Sequence, residues 1–79
     1  MTANRHISPA EALTFLRAAC MDLTAARANV DHAYAGLSDR RADRAAQLVD
    51  SITDALAFAQ RLTFVVEGDQ RAAAEWNNS

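Results

Sequence analysis

Two histidines, one cysteine, ten carboxylates and eight arginines are where any chemistry in this 79-residue chain would have to reside. Acid-base catalysis needs a histidine or carboxylate held where its protonation can be tuned against a substrate. His6 precedes the first helix signal and His32 falls on an outward helix position, so neither fits that role. Cys20 lies on an inward face with no histidine beside it to raise the thiolate fraction, and it reads as a small hydrophobe. Asp50 and Asp54 share a helix face and, with Asp43, form a solvated acidic strip; the Glu-x-x-His pair of a di-iron bundle is missing. With glycine only at positions 36 and 68 there is no phosphate-cradling loop. The expectation is a protein that is not an enzyme, with no catalytic residue, no metal and no cofactor.

Arginine offers recognition instead. All eight basic residues are arginine, an economical consequence of GC-rich coding beside so much alanine. Arg40, Arg41 and Arg44 cluster at the start of the second predicted helix, where the helix dipole disfavours cations, and this suggests an RNA or acidic-protein contact as an alternative function. Against it stand the interleaved Asp39 and Asp43 and a net charge of −2. Arg27 is the one charged residue at an inward position. It either lays its methylenes along the seam and turns toward Asp31, or pairs with a carboxylate of a second hairpin.

The elements that position these groups follow from caps and periodicity. Ser8-Pro9-Ala10-Glu11 is a capping box with proline at the first helical position, which starts helix A near Pro9 and carries it to about residue 35. Gly36 is expected to end it in the left-handed conformation, with Ser38 or Asp39 capping helix B over about 39–67. Gly68 should end or fray helix B, leaving residues 68–79 as a tail or a short helix over 69–76; residues 1–7 form a flexible arm. If helix B instead passes through Gly68, Ala73 and Trp76 prolong its apolar stripe. Two helices joined by so short a link lie antiparallel. Pairing straight across Gly36 sets Leu13 against Leu62, Leu23 against Ile52 and Val30 against Ala45.

Alanine recurs every seventh residue at 12, 19, 26 and 33. With Leu13 at heptad position a, these alanines occupy g, beside a full a/d seam. Helix B in the same frame has Ala42, Val49, Leu56 and Thr63 at a, Ala45, Ile52, Ala59 and Val66 at d, and Arg41, Leu48, Ala55 and Leu62 at g. The expected dimer and core set is Ala12, Leu13, Leu16, Ala19, Cys20, Leu23, Ala26, Val30, Ile52, Leu56, Ala59 and Leu62. A two-helix hairpin cannot bury so wide an arc, and 79 residues supply only ~3–5 kcal/mol from a single core. A homodimeric four-helix bundle is therefore expected.

The arc widens at the end far from the turn, where position c holds Phe15, Phe58 and Val65, with Phe64 outside the arc and Trp76 beyond it. These five are the expected docking surface for a protein partner of unknown identity, because aromatics grouped on a rigid helix end make strong interface anchors. The architecture resembles helical-hairpin dimers of the ROP type, one of which binds RNA, but no residue motif carries over. Without an 18-residue apolar run or an apolar signal-peptide core, a soluble, cytoplasmic protein with no membrane contact is expected. Bacterial or phage accessory proteins commonly have this size and this lack of chemistry. The leading expectation is thus a small interaction or regulatory protein, with nucleic-acid binding or a purely structural oligomerisation module as alternatives.

Overall fold

The capping box forms as the sequence requires. In the computed structural model, which describes residues 7–78 apart from the side chains of 77 and 78, the Glu11 N–H donates to the Ser8 hydroxyl and the Ser8 N–H donates to the Glu11 carboxylate. This launches α1, Pro9–Tyr34; after a four-residue link comes α2, Asp39–Asn78. Among the described residues there is no strand, and the two helices form a hairpin. The arm expected over residues 1–7, with His6, lies outside the described residues except for the exposed Ile7.

The turn is made differently from the expectation. Gly36 is not left-handed: Ala35 keeps right-handed helical angles, and the N–H groups of Gly36 and Leu37 donate to the carbonyls of Ala33 and Tyr34. These tight closures satisfy the last carbonyls without a left-handed residue. The positive φ, 55°, falls on Asp39, an acidic residue whose short side chain tolerates that region. The Ser38 carbonyl then accepts from the N–H groups of Arg41 and Ala42 to begin α2.

A second correction concerns the end of α2. It runs unbroken through Gly68, so the expected stop there and the separate segment over 69–76 are replaced by one 40-residue helix. A mid-helix glycine costs only ~1 kcal/mol relative to alanine, and the helix formers on both sides, Glu67 before it and Ala72, Ala73 and Ala74 after it, outweigh that cost. At 1.5 Å per residue α2 is about 60 Å long, equal to the longest dimension of the molecule, 60 Å. It outruns α1, which has 26 residues.

The register also moves. Cys20 faces Thr63 rather than Ala55, and Arg17 faces Glu67, so α1 lies roughly one heptad further along α2 than pairing straight across Gly36 demands. Slippage by a heptad returns the same a and d positions to the seam, and the apolar pattern alone cannot distinguish the two registers. The Arg17–Glu67 and Cys20–Thr63 contacts mark the register adopted. The seam itself is thin: Leu13, Ala45, Leu56 and Thr63 are buried, while Ala12, Leu16, Ala19, Cys20, Leu23, Ala26, Val30, Ile52 and Ala59 are half-buried. Leu62, expected in this set, is 43% exposed because its g position on α2 points past α1. Tyr34 and Leu37 are likewise exposed beside the turn.

Candidate functional site

The seam of an antiparallel helix pair has two flanks, one where e positions face each other and one where g positions do. The e flank is closed by polar contacts. Arg17 and Glu67, both at e, form a 2.6 Å ion pair, and the Arg27 guanidinium reaches across to the Thr53 hydroxyl at 3.5 Å. Arg27 therefore engages its own hairpin through a long contact, and Asp31 is not within ion-pair distance of it. Thr53 and Thr63 also donate to the carbonyls one turn earlier, which satisfies their hydroxyls within the helix.

On the g flank α1 presents alanine, half-buried at 12, 19 and 26. The g row on α2 is Arg41, Leu48, Ala55, Leu62, Asp69 and Trp76, and every one of these is exposed. Small alanines on one helix cannot cover the leucines of the other, so Leu48 and Leu62 stay nearly half accessible. Phe15, Phe58 and Val65 at position c extend this flank outward, each more than half exposed. The Arg61 guanidinium lies over the Phe58 ring at 5.7 Å, a cation–π contact at i, i+3.

Phe64 stands apart. It is 72% exposed, on the side of α2 away from the g row, and it borders a shallow groove with Ala57, Gln60, Arg61 and Val65. Arg71 lies two turns further along the same strip. Trp76, 82% exposed, lies on the part of α2 that extends beyond α1. The sequence-predicted partner residues Phe15, Phe58, Phe64, Val65 and Trp76 are thus all on the surface, on two sides of the helix rather than in one patch.

At the turn end, Arg40, Arg41 and Arg44 are exposed, and none has a carboxylate within ion-pair distance among the described residues. The local pairing with Asp39 and Asp43 that would neutralise them is not made. Cys20 is half-buried with its sulfur 3.7 Å from the Thr63 hydroxyl, and His32 is solvent-facing. Among the described residues no three His, Cys, Asp or Glu side chains gather as a metal site would require, and no helix is long and apolar enough to cross a membrane. Comparison with protein-family models, with curated proteins and with solved structures returns no match.

Proposed function

We propose that the protein is a small non-enzymatic interaction protein that works as a homodimeric helical bundle and docks a protein partner through its aromatic surface. One observation carries the reading: apolar side chains are exposed on two different sides of the same hairpin. A stable domain stacks at least two layers of secondary structure around its core, and this hairpin supplies one. The chain exposes 6273 Å², whereas a compact monomer of its mass exposes about 4,700 Å². Its radius of gyration is 17.6 Å, against about 12 Å for a compact domain of this length.

A second copy accounts for the g flank. It leaves Phe64, which faces away from that flank, open to a different protein. Arg61 borders Phe64 and Arg71 lies two turns along the same strip, so the complementary partner surface is an apolar side chain flanked by carboxylates, such as an acidic amphipathic helix.

Light scattering combined with affinity capture from the cells that make the protein tests this. The expected outcome is a dimeric mass for both the wild type and Phe64→Ser, with one protein retained stoichiometrically by the wild type and lost from the variant. Equal retention by both, or a dimer that retains nothing, overturns partner docking and leaves a structural oligomerisation module. That Arg40, Arg41 and Arg44 have no carboxylate within ion-pair distance among the described residues supports a second reading, RNA binding at the turn. Its test is polarisation of a labelled RNA hairpin at low salt, where binding lost on replacing all three arginines with alanine supports it and absence of binding removes it.

A further inference from the structure

From Arg41 to Asp69 the g row of α2 is symmetric in size and opposite in charge about Ala55: Arg41, Leu48, Ala55, Leu62, Asp69, with Trp76 one heptad beyond. We infer that two copies of this chain pack with their turns at opposite ends, on a two-fold axis that crosses α2 at Ala55. This specifies the geometry of the dimer proposed above and rests on that reading.

An antiparallel copy placed on this axis sets Leu48 against Leu62 of the second copy and Arg41 against Asp69 of the second copy. The symmetry makes each contact twice, as an isologous interface must. All five side chains are exposed in the hairpin, and among the described residues neither Arg41 nor Asp69 has an opposite charge within ion-pair distance. Among the described residues of its own chain, each charge thus lacks the partner that the second copy would supply. At the axis, alanine allows the two helices the closest approach, and the leucines fill the layers beside it.

α1 agrees with the same axis. In the observed register, with Cys20 opposite Thr63, the residue across from Ala55 lies close to Ala26, itself a g-position alanine. An axis at Ala26 sets Ala19 against Ala33 of the second copy, so small residues meet over the half of α1 nearer the turn, while Ala12 lies beyond the overlap. A one-heptad slip of the hairpin exchanges one alanine for the next and keeps the two rows aligned.

The competing arrangement has both turns at the same end, with α2 of each copy lying over α1 of the other. It places Ala55 opposite α1 alanines, far from its own symmetry mate, and leaves Arg41 and Asp69 without partners. Two measurements separate the arrangements. In a Cys20→Ala background, Ala55→Cys should form a disulfide-linked dimer under mild oxidation, since residues on the axis come within disulfide reach of themselves; Asp50→Cys, on the far side of α2, should not. In sedimentation, Arg41→Asp and Asp69→Arg should each weaken the dimer roughly tenfold, and mixing the two variants should restore wild-type affinity, because the mixed dimer has opposite charges at both ends.

A wild-type chain that sediments as a monomer overturns the dimer itself. A dimer in which Ala55→Cys fails to cross-link, or in which the mixture is no tighter than either variant alone, overturns this geometry and leaves dimerisation standing.

Discussion

The two flanks of the seam are made by the same two helices, yet one is closed and the other open. On the e flank, long polar side chains reach across: Arg17 finds Glu67 and Arg27 finds Thr53. On the g flank, alanines of α1 face leucines of α2, and nothing from α1 is long enough to cover Leu48 and Leu62. The contrast teaches that side-chain length, more than hydrophobicity, decides where a hairpin stops being self-sufficient. A flank bridged by arginine is finished within one chain. A flank of alanine allows close approach, and in this hairpin it leaves the leucines opposite it open.

The sharpest way to break this comparison is to truncate one leucine on each side of it. Leu56 is buried in the seam, 6% exposed, and Leu62 on the open flank is 43% exposed. Leu56→Ala should cost ~2–5 kcal/mol, comparable to the whole ~3–5 kcal/mol expected of a single core this small. Circular dichroism should show a largely unfolded chain at room temperature. Leu62→Ala removes the same atoms from a site the hairpin leaves half open, so its cost should be smaller than that of Leu56→Ala when dilute and grow with protein concentration if copies associate. Equal losses at every concentration would show that the two flanks do not differ as argued.

A charge placed on the open flank gives the next largest effect. Leu48→Glu should dissociate the proposed dimer while preserving helical content, because the side chain is solvent-facing in the hairpin and a carboxylate buried at an interface without a partner is strongly disfavoured. A sedimentation profile showing an intact dimer would move the interface elsewhere.

Much of this architecture was legible in the sequence, for identifiable reasons. The capping box fixed the start of α1 because Ser8 and Glu11 satisfy each other locally, whatever the rest of the chain does. The a/d/g pattern fixed which faces meet. Three features were not legible. The register was hidden because the seam repeats every heptad, so only the Arg17–Glu67 and Cys20–Thr63 contacts distinguish one slip from the next. The continuation of α2 was hidden because glycine is read as a stop, although at Gly68 it costs less than the flanking helix contributes. The turn was misjudged because Gly36 drew the positive φ that Asp39 takes. In the hairpin the aromatic residues lie outside the seam, and their division between two sides of α2 needed the helix to be seen whole.

The two glycines convert that correction into a smaller prediction. A Cβ at Gly68 meets nothing within 4 Å, so Gly68→Ala should raise stability by ~0.5–1 kcal/mol. It stiffens the part of α2 that carries Asp69, and if that residue pairs across the dimer, association should tighten as well. At Gly36 a Cβ would sit 3.7 Å from the Ala33 carbonyl, an ordinary contact, and φ is not positive. Gly36→Ala should therefore be tolerated, and thermal denaturation should show a marked loss only if the left-handed turn expected from sequence were real.

The smallest expected effect bears on the closed flank. Arg17 is 57% exposed at its side chain and Glu67 30%, so the ion pair between them is partly screened by water. Exposed pairs of this kind contribute ~0.2–1 kcal/mol, and a double-mutant cycle with Arg17→Ala and Glu67→Ala should return a coupling in that range that shrinks as salt is added. This contact chooses the register rather than supplying much stability, since the heptad repeat leaves the apolar seam nearly indifferent to a slip. The double variant should therefore fold to nearly the same helical content while its register becomes less specified. A spin-label pair at Met21 and Asp54 would read this as a broadened distance distribution. A distribution as narrow as that of the intact pair would show that the a/d packing alone sets the register, and that the e flank closes a seam already fixed.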